Sequence, residues 1–161
     1  MLRVAIITIS TSKSAGQGED KCTPALKDYV KSLKGEVIGA DLIPDDREQI
    51  ESRLRHWSEP NQADVVLTSG GTGLAPSDVT PEATLAVVER EAQGIAEALR
   101  IAAQPHTKYW MMSRGVAGVR GRTLIINFPG NPRSIAECGE PLLETLEHAM
   151  TLLIDREDAG H

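Results

Sequence analysis

The chain has 161 residues, a mass of 17.4 kDa and a formal net charge of -6 at pH 7. Because a chain of this length buries about 70% of its unfolded surface around one core, we expect residues 1–161 to form a single domain. The acidic balance and the scarcity of aromatic residues argue against nucleic-acid binding, and no run approaches the ~20 apolar residues of a membrane span. We therefore expect a cytoplasmic protein with a small-molecule ligand.

The two cysteines, Cys22 and Cys138, lie far apart in the sequence. No CxxC motif or histidine spacing surrounds them, so they predict neither a zinc site nor a disulfide framework. We interpret both as buried thiols in a reducing compartment. The four histidines also lack metal-ligand spacing, and no GxSxG motif or Cys/His pair indicates covalent catalysis.

Short β-rich runs alternate with helical patterns along the chain, which predicts βαβ units. The predicted strands span residues 3–10, 36–43, 64–69 and 123–128. Predicted helices follow Pro24, surround Ile50, and span residues 81–91, 95–103, 132–138 and 141–154. The acidic residues 155–158 are interpreted as a solvated helix end. We expect an α/β fold, a three-layer sandwich with a mostly parallel central sheet and helices on both faces.

Three of these helices begin with a capping residue followed by proline: Thr23-Pro24, Thr80-Pro81 and Asn131-Pro132. Each pair follows a predicted strand and a loop rich in Gly, Ser or Thr. We therefore expect three helix N-termini at the carboxyl edge of the sheet, where open α/β sheets bind their ligands.

The most informative loop follows the strand at residues 64–69. It contains Ser69, Gly70, Gly71, Thr72, Gly73 and Ser77. Three glycines in four residues let backbone N–H groups converge on an anion without obstruction by Cβ atoms. An ordinary tight turn is the alternative interpretation. The loop is neither a Walker A motif nor GxGxxG, because no Gly-Lys-Ser/Thr follows and Pro76 occupies the last glycine position.

A second loop follows the strand at residues 123–128. It contains Pro129, Gly130, Asn131, Pro132, Arg133 and Ser134. A cation in the first turn of a helix interacts unfavourably with the helix dipole, by roughly 0.3–1 kcal/mol, and a bound anion beside Arg133 would make the interaction favourable. The alternative is that Arg133 is a solvated side chain that points away from the helix end. The Gly/Arg segment at residues 113–122 adds cations to this edge or forms a basic surface hairpin.

Two carboxylates accompany these loops. Asp45 follows Ile43-Pro44 and has Glu48 three residues later, which also fits a capping box. Asp78 lies in the first loop, where a carboxylate beside phosphate is repulsive unless Mg²⁺ bridges the two or the acid handles a proton. We favour a metal role for Asp78.

Four segments together resemble the molybdopterin-binding family of molybdenum cofactor biosynthesis. The matching segments are residues 68–73, 78–83, Ser113-Arg114 with Ala117-Gly118, and 127–132, and Ile43-Pro44-Asp45 fits the Pro-Asp element of the family. The resemblance implies a homotrimer that transfers AMP from Mg-ATP to the terminal phosphate of molybdopterin and releases pyrophosphate. It also implies contacts with other proteins of cofactor biosynthesis. Trp57, Tyr109 and Trp110 are large groups that suit an interface between subunits.

The resemblance assigns Asp45 and Asp78 to catalysis and Mg²⁺ binding. The residues that it assigns to the ligands are Ser69, Gly70, Gly71, Thr72, Gly73, Ser77, Arg114, Pro129, Gly130, Asn131, Pro132, Arg133 and Ser134.

The first loop departs from the family pattern. Many members carry Ser-Asp after the first strand and Gly-Pro at the next helix, whereas this chain has Ser10-Thr11 and Thr23-Pro24. Asp20 still matches an acidic position of the family. The altered loop favours a non-catalytic pterin-binding or scaffold protein as the alternative to the enzyme, and a nucleotide pyrophosphatase is a third interpretation.

Overall fold

A computed structural model describes residues 1–154, and six strands in it form one sheet. The strands are β1 Leu2–Ile9, β2 Gly35–Ile43, β3 Val65–Ser69, β4 Arg90–Glu91, β5 Ala117–Arg120 and β6 Thr123–Phe128. Their order is β2-β1-β3-β6-β5-β4. The first four in this order run parallel, whereas β5 and β4 are antiparallel to their neighbours. The sheet is therefore mostly parallel, as the sequence predicts.

Helices cover both faces of this sheet. They are α1 Thr11–Ser14, α2 Cys22–Ser32, α3 Arg47–Trp57, α4 Thr80–Val87, α5 Gln93–Ala103, α6 Pro132–Gly139 and α7 Leu142–Ile154, with a 3-10 turn at Trp110–Met112. None of the helices in residues 1–154 is long and apolar enough to cross a lipid bilayer. The acidic residues 155–158, predicted as a solvated helix end, lie outside the described residues.

Two apolar cores follow from the alternation of side chains along the strands. In β1, Val4 and Ile6 face a core shared with α2, α5, α6 and α7, whereas Ala5 and Ile7 face a core shared with α3 and α4. Strands β3 and β6 are buried throughout, as expected for central strands covered on both faces. The three-layer architecture predicted from the sequence is confirmed.

The helix predicted at residues 81–91 is wrong at its C-terminal end. Helix α4 ends at Val87, and Arg90–Glu91 forms the edge strand β4 against β5. The sequence pattern does not predict this strand, because a strand of two residues is too short to show an alternation of apolar and polar side chains.

The segment at residues 113–122 is the hairpin alternative rather than a source of several cations at the ligand-binding edge. Its turn before β6 uses Gly121 with a φ of +58°, and Arg120 donates to the Val87 carbonyl. Only Arg114, which precedes β5, reaches the carboxyl end of β3, where its N–H donates to the Thr72 carbonyl at 2.7 Å.

The connections from β1 and β3 diverge at the carboxyl edge of the sheet. Strand β1 continues through α1 and α2 to β2 at one side, whereas β3 continues through α4 and α5 towards β5 and β6 at the other. Such a divergence leaves a crevice between the two loops that follow the strands. This crevice is the candidate site.

Candidate functional site

Two cavities open at this edge, on either side of the glycine-rich loop after β3. One has a volume of about 380 Å³ and is walled largely by apolar side chains of α5 and the 3-10 turn. The other, about 670 Å³, is walled by the loop between β1 and α2 and carries several charged side chains. Gly71, Asp78 and Gly130 border both cavities. Ligands in the two cavities would therefore meet along this border.

The border requires glycine at two consecutive positions. Gly70 and Gly71 have φ angles of +103° and +68°, in the region that side chains with a Cβ rarely adopt. A Cβ on Gly70 would collide with the Ile9 carbonyl oxygen, and one on Gly71 would collide with Thr80 Oγ1 and lie 3.0 Å from Asp45 Oδ1. The Cα of Gly70 also lies 3.3 Å from the position of a Cβ on Gly130. The two loops predicted as separate cradles therefore pack directly on each other.

Buried hydroxyls fix this packing. Ser69 Oγ donates to the Pro129 carbonyl at 2.9 Å, which ties the end of β3 to the second loop. Thr80 Oγ1 donates to the Gly70 carbonyl at 2.9 Å, and the Thr80 N–H donates to the Gly71 carbonyl. Thr80 is thus the first residue of α4 rather than its cap, and its hydroxyl supports the glycine turn.

Asp45 does not cap α3. That role belongs to Asp46, whose side chain accepts from the Gln49 N–H at 2.9 Å. Asp45 Oδ2 instead accepts from the N–H and Oγ1 of Thr11, at 3.2 and 2.9 Å. Asp45 Oδ1 forms no hydrogen bond with the described residues and faces the Gly71 turn. The capping-box interpretation of Asp45 is therefore wrong, and one of its oxygens remains available to a ligand.

Asp78 also uses one carboxylate oxygen within its own loop. Its Oδ2 accepts from the Ala75 N–H at 3.0 Å, and its N–H donates to the Ala75 carbonyl at 2.9 Å. Asp78 Oδ1 has no hydrogen-bond partner in residues 1–154. Asp78 therefore shapes the turn, and it also borders both cavities. Its predicted role at a metal ion stays a prediction.

The model of a known protein family, described as a probable molybdopterin binding domain, matches residues 5–148 of this chain. The chain belongs to this family. The family match covers both glycine loops, Asp45 and the strands that carry them, so the site lies within the matched residues.

Named relatives agree with this assignment. The chain is 39% identical over 138 residues to the molybdopterin adenylyltransferase of Escherichia coli K12, covering 84% of this chain and 71% of that one. It is 35% identical over 152 residues to the molybdenum cofactor synthesis protein cinnamon of Drosophila melanogaster, and spans 25% of that protein's length. The crystal structure of the molybdopterin biosynthesis enzyme MoaB from Thermus thermophilus superimposes with a TM-score of 0.89 at 42% identity, covering 95% and 96% of the two chains.

In this molybdopterin-binding domain, the second loop begins α6 as the sequence predicts. Asn131 Oδ1 accepts from the Arg133 N–H at 3.0 Å, which caps the helix. Asn131 and Ser134 border the apolar cavity, and Pro132 borders the charged one. Arg133 is exposed and borders neither of these two cavities, which favours the solvated alternative, and its contact with a ligand stays a prediction.

Two other residues predicted to contact ligands are also not among those that border the two cavities. Ser77 is exposed at the outer end of the first loop. Arg114 turns its guanidinium to the Gly73 and Asp78 carbonyls and to the Glu82 carboxylate. The guanidinium of Arg114 is therefore bound to groups of the protein itself, and the spacing of residues in the sequence does not reveal these partners.

The loop between β1 and α2 contributes residues that the sequence analysis did not assign. Lys13 borders the charged cavity and forms no ion pair with any residue that the structure describes, although Asp45 and Asp78 border the same cavity. Its ammonium lies over Gly18, where a Cβ would lie 2.6 Å from Nζ. The signal for this loop is its Ser/Gly-rich composition directly after a buried strand. The Thr11–Asp45 pair has no local signal, because it spans 34 residues.

The next helix, α2, is capped differently from the prediction. It begins at Cys22, and Asp20 Oδ1 accepts from the N–H groups of Cys22 and Thr23. The Thr23 hydroxyl donates to Asp20 Oδ2. Asp20 therefore performs the capping that the Thr23-Pro24 pair was predicted to perform, and it borders the charged cavity.

The two thiols differ in environment. Cys138 is buried, as predicted, and burial raises its pKa from 9.0 to about 11, with a smaller contribution from Glu137. Cys22 is only partly buried, because it borders the charged cavity. The prediction of a buried thiol is therefore wrong for Cys22. Burial raises the pKa of Cys22, a hydrogen bond with Ser69 opposes the rise, and Asp20 adds to it. Both thiols therefore stay protonated at neutral pH and are poor nucleophiles.

Proposed function

We propose that this chain transfers AMP from Mg-ATP to the terminal phosphate of molybdopterin and releases pyrophosphate. The proposal rests on one observation: two cavities lie side by side, and both are bordered by Gly71 and Asp78. A transfer between two phosphorylated substrates requires two binding sites that meet where the phosphates react. The named adenylyltransferase relatives supply the reaction.

The bond changes define what the site must do. An oxygen of the molybdopterin phosphate attacks the α-phosphorus of ATP, and the bond from that phosphorus to the bridging oxygen of pyrophosphate breaks. Catalysis of such a displacement rests on alignment and on stabilisation of charge. The backbone N–H groups of the glycine loop are suited to hold phosphate oxygens, because no Cβ obstructs their approach.

The free oxygens of Asp45 and Asp78 fit a divalent ion that arrives with the nucleotide. Mg²⁺ is commonly held by one or two carboxylates, with phosphate and water oxygens completing its coordination. When bound, the ion neutralises charge on the phosphates. Thr11 holds Asp45 through Oδ2, and the Ala75 N–H holds Asp78 through Oδ2, so each carboxylate is oriented before the substrate arrives.

Lys13 supplies the positive charge that the predicted cations, Arg114 and Arg133, do not bring to a cavity wall. Its position at the charged cavity suits the triphosphate of ATP. We also propose that the chain acts in the cytoplasm, where its unpaired cysteines stay reduced, and that it assembles as a homotrimer.

Asp78→Asn is the sharpest test of this function. The change keeps an oxygen for the Ala75 N–H but removes the charge that offsets the metal. We expect adenylyl transfer to fall a hundredfold or more, about 2.7 kcal/mol of barrier, with little change in melting temperature and with pterin binding retained. Asp45→Asn is the companion variant. Transfer by Asp78→Asn within about threefold of the parent, below ~0.7 kcal/mol, would contradict the catalytic assignment.

A non-catalytic pterin-binding protein is the second candidate, favoured by one observation. Thr11, at a position where many family members carry an acid, occupies one oxygen of Asp45. Incubation of the parent protein with molybdopterin, ATP and Mg²⁺ separates the candidates. Adenylylated pterin supports the transferase, and bound pterin without this product supports the binder. Nucleotide hydrolysis in the absence of pterin indicates a pyrophosphatase.

A further inference from the structure

The guanidinium of Arg114 makes four contacts with one loop and the helix that follows it. Nε donates to the Gly73 carbonyl at 2.8 Å, and Nη2 donates to the Asp78 carbonyl at 2.9 Å. Nη1 donates to both carboxylate oxygens of Glu82, at 2.7 and 3.3 Å. The Arg114 backbone N–H also donates to the Thr72 carbonyl. Arg114 therefore holds both ends of the 73–78 loop and the first turn of α4.

Few other contacts restrain this loop. Residues 74–77 are exposed, and the hydrogen bonds within the loop join Ala75 to Asp78. The position of Asp78 at the border of the two cavities thus depends on anchors at the loop ends. One end is anchored by Thr80, which bonds to Gly70 and Gly71, and Arg114 joins the two ends directly.

We propose that Arg114, paired with Glu82, is a positioning residue that fixes Asp78 for adenylyl transfer. The inference rests on the proposed function for its catalytic consequence, but not for the contacts themselves. Arg114 and Glu82 are not among the described residues that border the two cavities. The pair acts through the loop.

Arginine and lysine differ in the property that this role requires. A planar guanidinium with five N–H donors reaches three acceptor groups in fixed directions, whereas a lysine ammonium is a point charge on a flexible stem. Arg114→Lys therefore keeps the positive charge and loses the geometry. A phosphate-binding Arg114 would tolerate this change far better than a positioning Arg114.

The test compares Arg114→Lys with Glu82→Gln. For Arg114→Lys we expect kcat to fall at least tenfold, the Mg²⁺ concentration for half-maximal activity to rise, and KM for each substrate to stay within threefold. Glu82→Gln should shift the same quantities by less. In the double variant, kcat should fall by less than the product of the two single fold-losses, because Arg114 and Glu82 act through the same ion pair. The control is Arg47→Lys, which alters an exposed pair with Glu51 on α3.

Amide hydrogen exchange gives a readout that does not require activity. In Arg114→Lys the peptide spanning residues 73–79 should exchange at least tenfold faster than in the parent, whereas Arg47→Lys should leave it unchanged. Unchanged exchange, or a raised KM with unchanged kcat, would overturn the proposal. A parent protein without transfer activity would overturn the proposed function instead, and the exchange rates would still decide whether Arg114 holds the loop.

Discussion

At the residue scale, the backbone conformation of Gly71 links folding to the site. A residue with a Cβ at this position meets Thr80 Oγ1 and the Asp45 carboxylate, and it must adopt a φ of +68°. For Gly71→Ala we expect a loss of unfolding free energy of at least about 1 kcal/mol, from the left-handed conformation alone. Adenylyl transfer should fall further than stability implies, because Asp45 is displaced. Urea denaturation and a transfer assay measure the two effects.

Gly94→Ala is the matched control for this prediction. Gly94 lies in the first turn of α5, and a Cβ there meets no atom within 4 Å. Alanine favours a helix over glycine by up to about 1 kcal/mol, so this variant should be as stable as the parent or more stable, with unchanged transfer. Equal behaviour of the two variants would show that the Gly71 turn is not under steric constraint.

At the scale of elements, the N-terminus of α3 separates two adjacent carboxylates. Asp46 caps the helix, whereas Asp45 turns to Thr11 and the glycine loop. We expect Asp46→Ala to lower the unfolding free energy by about 1 kcal/mol while transfer stays near the parent value. Asp45→Ala should show the opposite pattern, with a large loss of transfer and a smaller loss of stability. If Asp46→Ala instead lost transfer and Asp45→Ala lost mainly stability, Asp45 would be the helix cap and Asp46 the residue that acts in transfer.

At the scale of the whole molecule, the proposed homotrimer requires an apolar surface to bury. Trp57, one of the candidate interface groups, is engaged within its own chain: Nε1 donates to Asp41 and the Arg53 guanidinium lies over its ring. Trp110 borders the apolar cavity. Tyr109, 62% exposed, borders the same cavity, whereas Met111, 60% exposed, borders neither cavity and remains available.

Light scattering at micromolar concentration tests the assembly. We expect a mass three times the 17.4 kDa of one chain, and a shift towards the monomer in Met111→Asp if the surface around the 3-10 turn is the interface. A trimer that persists in this variant would place the interface elsewhere. A monomeric parent protein would contradict the trimer itself.

The sequence by itself determined the features that depend on local rules. Buried parallel strands follow from runs such as Val65-Val66-Leu67, and the start of α6 follows from Asn131-Pro132, because hydrophobic runs and caps act over a few residues. The glycine loop at residues 70–73 was also predictable, since consecutive glycines indicate a turn with positive φ angles. These features suffice to locate the ligand-binding edge of the sheet.

Only the tertiary structure decided which charged groups face that edge. Asp45 pairs with Thr11 across 34 residues and Arg114 with Glu82 across 32, and no local pattern encodes partners at such separations. The same holds for Lys13, whose proposed role depends on the cavity that it borders in the folded chain. A charge near a ligand loop in sequence is free to bind the ligand or the protein, and the choice depends on the acceptors that folding brings within hydrogen-bond distance.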